Sequence, residues 1–186
     1  VVNTGLGALN SVDPDWDIDG GNAFVGNPLN SNWLANNATS KWLTPASDGR
    51  TSFDPVNATT RLFTLTFSMD GYLPATASLT GRFAVDNAVT SIKLNGTTIT
   101  GSGGSFRNWT TFSSVPGAFV AGENKLTFAV LNTVPASPNP TGLRVEFLSA
   151  NASVPEPASW AMMIAGFAAI GAAARRRSTA MSATLA

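Results

Sequence analysis

Hydrophobic and polar residues alternate along several segments of the first 150 positions. The clearest alternation covers residues 61–69, where every second residue is apolar and most residues between are threonine or serine. A period of two places successive side chains on opposite faces of an extended chain, so this segment is predicted to be a half-buried β-strand. The same pattern predicts strands over residues 77–85, 125–131 and 142–148.

Residues 91–99 are predicted to form a β-hairpin, because Asn95 and Gly96 both tolerate the positive φ that a two-residue hairpin turn needs. No helical periodicity appears before Trp160. Eight or nine short strands separated by Gly, Pro, Asn and Ser indicate an all-β fold, an antiparallel β-sandwich. Shorter strands are predicted around residues 23–25, 33–34, 41–43 and 109–112.

Composition limits the chemistry of the chain more than its size does. The 186 residues suffice for one domain with a short appendage, and 44% of them are hydrophobic, which is ample for a core. Eleven basic residues balance eleven acidic ones, so no strong field would attract nucleic acid, and we expect no nucleic-acid partner. The absence of cysteine and histidine excludes disulfides, cysteine nucleophiles, histidine triads and most zinc, copper or iron sites.

The C-terminal segment has a different pattern. It combines a Pro-Glu-Pro triplet, a tryptophan, an uncharged stretch and three arginines: Pro155, Glu156, Pro157, Trp160, residues 161–174, Arg175, Arg176 and Arg177. Residues 160–174 would span about 22 Å as a helix, against about 30 Å for a bilayer core. Snorkelling arginines and an interfacial tryptophan would reduce the difference between the helix length and the bilayer thickness. We therefore predict one short hydrophobic transmembrane helix with the arginines in the cytoplasm.

The order and spacing of residues 155–177 resemble the PEP-CTERM sorting signal, and more narrowly its PEP-x-x-W-A variant. The resemblance implies that a membrane transpeptidase, an exosortase, acts at or near the Pro-Glu-Pro triplet and releases the protein from its helix. It also implies a Gram-negative bacterium that makes exopolysaccharide. The alternatives are an ordinary hydrophobic anchor and a helix whose small residues serve assembly.

The predicted organisation is an extracellular β-sandwich over residues 1–150 and a sorting signal over residues 151–186. The chain opens on Val1 rather than methionine, and we expect an export signal to have been removed. The membrane is the expected partner of the helix before processing. The protein is thus predicted to be secreted to the cell surface.

A second resemblance concerns the β-rich body. A strand that ends in Asn95-Gly96, followed by the Gly-x-Asn-x-Leu-x-Phe run that contains Asn124, resembles the galactose-binding-like jelly roll. The resemblance covers residues 62–148. It implies a jelly-roll sandwich in which Asn124 holds the backbone of a turn. Since this fold carries structural, adhesive and sugar-binding domains alike, it leaves the function open.

Aromatic and polar residues suggest a carbohydrate site. A flat tryptophan ring stacks on the C–H face of a sugar while neighbouring polar groups bond its hydroxyls. The candidate residues are Trp33, Trp42, Trp109, Asp86, Arg107 and Asn108. The alternative is that these tryptophans pack in the core or under loops, as in most small sandwiches.

Four alternating aspartates near the N-terminus form a candidate calcium site: Asp13, Asp15, Asp17 and Asp19. Crowded carboxylates are hard oxygen ligands that suit Ca²⁺. The twelfth position counted from Asp15 is Gly26 rather than glutamate, which excludes an EF-hand. The alternative is an extended segment with its acids in water and Trp16 and Ile18 turned inward.

No catalytic residue is predicted, and we expect no enzymatic activity. Asp86, Glu123 and Glu146 lack a pattern that would join them as a hydrolase pair, and Glu146 is predicted to form a surface pair with Arg144. The favoured function is a structural surface or matrix protein. Exposed sheet edges or apolar patches would let it self-associate into a homo-oligomer or filament. The alternative is a lectin-like module that recognises exopolysaccharide.

Overall fold

The computed structural model describes residues 1–28, 31–49, 57–133, 140–156 and 159–183, and the side chains of the last helix over 160–175. Within these ranges the chain forms ten strands, a short 3₁₀ turn and one helix. They are β1 (Val12–Ile18), β2 (Gly21–Gly26), β3 (Trp42–Thr44), β4 (Thr59–Ser68), the turn Pro74–Thr76, β5 (Ser78–Asp86), β6 (Ala88–Leu94), β7 (Thr97–Thr98), β8 (Thr110–Ser113), β9 (Glu123–Asn132), β10 (Gly142–Asn151) and α1 (Ser159–Ala183).

All ten strands belong to one antiparallel sheet, in the order β7-β6-β9-β4-β1-β2-β3-β10-β5-β8. Its longest pairings are β4 with β9, over the full ten residues of each, and β5 with β10. The prediction of an all-β antiparallel fold followed by one C-terminal helix is confirmed.

The sheet curves until its two ends face each other. Phe128 of β9 lies 5.9 Å from Phe83 of β5 and 5.3 Å from Phe112 of β8, measured between ring centroids. β9 lies near one end of the sheet and these two strands at the other, so these contacts close the core. A bridge between Thr100 and Ser113 joins the two edges. The jelly-roll topology is not confirmed, because these strands form one continuous half-barrel.

The core follows the predicted alternation. Phe63 and Leu65 of β4 are buried while Thr64 and Thr66 between them are more accessible. The other buried side chains around them come from nearly every strand: Trp16, Ile18, Leu43, Leu79, Phe83, Val85, Ile92, Leu94, Phe112, Leu126, Phe128, Val130, Leu143 and Val145. This apolar cluster provides the main driving force for folding.

Two predicted turn roles are confirmed. Asn95 (φ 51°) and Gly96 (φ 83°) form the hairpin turn between β6 and β7. Asn124 is fully buried, and its side-chain nitrogen donates to the carbonyl oxygens of Val120 (2.8 Å) and Gly122 (2.9 Å). Its side-chain oxygen accepts from the Val120 amide at 3.0 Å. The turn before β9 is thus held by one amide side chain.

The strand predicted at residues 33–34 is wrong. These residues form an irregular loop in which the Leu34 amide donates to the Phe106 carbonyl at 2.8 Å, outside any strand. The sequence also predicts a proline-rich loop over residues 135–140, which lies outside the described residues except for Pro140.

The chain separates into two compact units, residues Val1–Ser153 and Val154–Ala186. The second contains α1, whose described side chains are exposed. Within the described part of the chain, no helix combines the length and apolar character that a bilayer crossing requires, and the predicted transmembrane helix is not confirmed.

Candidate functional site

The outward face of β3, β5 and β10 is covered by a second apolar cluster, here called the tryptophan layer. Its members are Trp33, Leu34, Trp42, Ala84, Phe106 and Trp109. Gly142 of β10 makes room for it, because a Cβ there would lie 2.9 Å from the Trp33 ring. The loops that carry Trp33 and Phe106 therefore pack directly on the sheet, and residues 142–146 of β10 are buried on both faces.

Two of the three predicted stacking tryptophans do not face a ligand. Trp33 is 5% exposed and Trp42 is fully buried, and their ring centroids are 4.4 Å apart. The Trp42 indole nitrogen donates to the Leu34 carbonyl at 2.8 Å. The sugar-stacking role predicted for Trp33 and Trp42 is therefore wrong, because each ring is covered by the layer itself.

Trp109 differs from the other two tryptophans because it is only half-buried. The guanidinium carbons of Arg82 and Arg144 lie 4.5 Å and 4.9 Å from its ring centroid. Arg107 and Asn108 precede it in the same loop and are exposed, and the Arg107 guanidinium lies 5.2 Å from the Phe106 ring centroid. Three of the predicted sugar-site residues, which are consecutive in the chain, are thus at least partly accessible.

A buried ionic network lies beneath this loop. Arg144 is 1% exposed; its Nε donates to the Ser40 hydroxyl at 2.6 Å and its Nη1 to the Ala35 carbonyl. Glu146 Oε1 accepts from Ser40 at 2.8 Å, and Oε2 accepts from Arg82 Nε at 2.9 Å. The pairing of Glu146 with Arg144 is as predicted, but the predicted surface location is wrong, since residues 34–40 cover both.

The network sets the protonation of its members. Burial lowers the pKa of Arg144, against the opposing effect of the Glu146 charge. Burial alone would raise the pKa of Glu146, but hydrogen bonds from Arg82 and Ser40 and the two guanidinium charges hold it below its usual value. The carboxylate is therefore ionised at neutral pH and engaged on both oxygens, so it ties a loop to the sheet.

Asp86, also predicted as a sugar ligand, is buried at the end of β5. Asn87 Nδ2 donates to its Oδ1 at 2.7 Å. Desolvation raises the pKa of Asp86 to about 6. With 5% of its surface exposed, this carboxyl has no room to bond a sugar hydroxyl, and its predicted role is corrected accordingly.

The four N-terminal aspartates point to separate partners. Asp13 is buried and accepts from the backbone amides of Gly5, Asp15 and Trp16 at 2.8 to 3.1 Å. Asp17 accepts from the Gly20 amide. Asp19 pairs with Arg61 at 3.2 Å. Asp15 is exposed. Across the described ranges, no three acidic side chains are grouped to hold a metal, so the geometry gives the calcium prediction no support.

Hydrogen bonds hold the chain on the β-rich body as far as Ser153, where the sorting segment begins. The Ser153 amide donates to the Thr76 hydroxyl, and the Ser153 carbonyl accepts from the Leu73 amide, both at 2.8 Å. Sequence patterns missed this anchor, since a threonine in a short 3₁₀ turn carries no periodic signal. A cavity of about 460 Å³ lies beside it, lined by Tyr72, Phe119 and residues 150–153 among others.

Beyond this anchor the sorting residues are accessible. Pro155 and Glu156 are exposed, and Trp160 at the start of α1 is 58% exposed. Pro157 lies outside the described residues. The helix continues through the basic cluster, where Arg175 is exposed and Arg176 and Arg177 extend the same helical backbone.

Comparison with known proteins bears on this segment alone. Residues 153–177 match the family model of the PEP-CTERM protein-sorting motif. No curated protein and no solved structure matches the chain. The matched residues begin at the anchored Ser153 and end at Arg177, so they include every predicted sorting residue. The motif marks the chain as a secreted, exosortase-sorted protein of the Gram-negative cell surface.

Proposed function

We propose that the β-rich body is a non-enzymatic structural component of the extracellular matrix or surface layer, delivered there by its sorting motif. The observation that carries this proposal is that the buried charged side chains hold loops and backbone groups in place. Glu146 and Arg144 hold a loop on the sheet, and Asp13 holds three backbone amides. Among the described residues these groups have structural tasks, as expected of a scaffold.

Self-association through a surface patch is part of this proposal. The edge strands β7 and β8 have only two and four residues, and the Thr100–Ser113 bridge joins their ends, so the edges offer little for pairing. Leu6 and Leu148 are 53% and 58% exposed, and with Phe147 they line a shallow cavity of about 390 Å³. We infer that a second copy covers this patch in an oligomer or filament.

Leu148→Asn is expected to shift the protein toward monomers at concentrations where the unaltered chain associates, because it removes apolar area from the patch. The measurement is sedimentation velocity over a concentration series. The control is Leu62→Asn, which changes a leucine of similar exposure on β4. Monomers for the unaltered chain at every concentration would refute the self-association proposal.

Saccharide binding is a second candidate, favoured by Trp109, which is only half-buried, and by exposed Asn108 beside it. An aromatic face and a polar amide suffice to stack on a sugar and bond its hydroxyls. In a matrix protein the two functions are compatible.

Trp109→Ala is expected to abolish retention of the protein in gels that contain acidic or neutral bacterial polysaccharide. Asn108→Ala, at an exposed position, should weaken retention without affecting folding. The Asn108→Ala variant therefore shows whether retention is lost because a sugar contact is removed or because Trp109→Ala disturbs the tryptophan layer. Free migration of the unaltered chain in every polysaccharide gel would eliminate this candidate.

A further inference from the structure

The geometry around Trp109 points to an anionic saccharide, one whose sugar rings bear carboxylates. The inference rests on the saccharide-binding candidate and adds the chemical class of its ligand. Two arginines with unused donors, Arg82 and Arg107, carry the argument. Trp109 lies two residues from Arg107 in sequence and in contact with Arg82 in space.

Arg82 is fixed in position with part of its guanidinium free. Its Nε and Nη2 both donate to Glu146 Oε2, at 2.9 Å and 2.5 Å. Its guanidinium carbon lies 4.5 Å from the Trp109 ring centroid. The side chain is 36% exposed, and Nη1 has no hydrogen-bond partner among the described residues. A guanidinium already held by a carboxylate and an indole ring loses little entropy when it binds an anion.

Arg107 supplies the second cation. It is exposed, lies over the Phe106 ring, and makes no ion pair within the described part of the chain. Its backbone amide donates to the Ser105 hydroxyl at 3.1 Å, which fixes the loop beneath the side chain. Its guanidinium donors are therefore free for an incoming anion.

The charges in this region are unbalanced in a protein that is neutral overall. Arg82, Arg107 and Arg144 contribute three positive charges, and Glu146 offsets one of them. Asp86, the other acid of this strand face, lies four residues from Arg82 along β5, and its pKa of about 6 lets it offset a second charge at neutral pH, which leaves one positive charge in excess. A guanidinium pairs with a planar carboxylate through two parallel hydrogen bonds. A sugar acid presents that carboxylate together with a C–H face for Trp109.

The test compares one polymer in a charged and an uncharged form. Affinity electrophoresis of the full chain uses gels containing polygalacturonate, its fully methyl-esterified form, or inorganic polyphosphate. We expect strong retention by polygalacturonate, at least about fivefold weaker retention by the ester, and loss of the difference as salt screens the charges. Arg107→Gln should weaken polygalacturonate retention about fivefold, whereas Lys125→Gln, with the same change in net charge, should not.

Each outcome has one meaning. Equal retention by the charged and esterified polymers overturns the anionic inference and leaves saccharide binding in place. No retention by either polymer overturns both the anionic inference and the saccharide-binding candidate. Retention by polyphosphate as strong as by polygalacturonate shows a general affinity for polyanions and overturns the assignment to sugar acids, as does an equal effect of Arg107→Gln and Lys125→Gln.

Discussion

Replacing Glu146 by glutamine is expected to lower the free energy of unfolding by about 3 to 5 kcal/mol. The substitution keeps the size of the side chain but removes the negative charge that faces Arg82 and Arg144. Arg144 is 1% exposed, so its charge would remain buried without a counterion. Since small domains have a total stability of about 5 to 15 kcal/mol, this loss is readily measured by urea unfolding.

An exposed pair of the same type serves as control. Glu123 pairs with Lys125 at 3.3 Å, but both side chains are more than half exposed. Glu123→Gln should therefore cost less than about 1 kcal/mol. Tryptophan fluorescence adds a second readout, because Glu146→Gln should loosen the loop over Trp42 and shift emission to longer wavelength. Equal losses of unfolding free energy for Glu146→Gln and Glu123→Gln would show that the buried network does not hold residues 34–40 on the sheet.

Asp86→Asn is expected to stabilise the protein at neutral pH by about 2 to 3 kcal/mol, because it removes a buried carboxylate that must ionise in a poorly solvated position. Burial raises the pKa of Asp86 to about 6 in the folded protein, from 3.8. Below the unfolded value the carboxyl is protonated in both states, so the stability difference between wild type and variant should not change with pH. As pH rises from about 4 to 6, wild type should lose stability relative to the variant, and above 6 the difference should be constant.

The measurement is the difference in unfolding free energy between Asp86→Asn and wild type from pH 3.5 to 8. Taking the difference cancels the titration of other groups. Asp15→Asn, at an exposed aspartate, is the matched control. A difference between Asp86→Asn and wild type that does not vary with pH would contradict the raised pKa.

The sequence was sufficient to predict the central strands and their inward faces. In β4 and β9, alternate apolar residues face one core, and the alternation is visible without knowledge of any partner strand. The hairpin at Asn95 and Gly96 was predictable because a two-residue turn restricts φ locally. The sorting motif was predictable for a similar reason, since its residues lie within 25 consecutive positions.

The outward face of the sheet was not predictable in the same way. Arg144 and Glu146 alternate with apolar residues as surface residues do, and loops distant in sequence, among them residues 34–40, bury them. The same loop packing determines which tryptophans remain accessible. Closure of the sheet into one half-barrel likewise depends on contacts between strands far apart in sequence, such as Phe83 with Phe128.

The central claim is that the β-rich body is exported cargo and that residues 153–177 direct its sorting. The most direct test is the intact mass of the protein recovered from each compartment of the producing cell, with and without its exosortase. We expect surface or medium fractions to contain a chain that ends near Pro155 to Pro157, and cells without the exosortase to keep the full C-terminus. A full-length chain in the cytosol, unchanged by loss of the exosortase, would contradict the account.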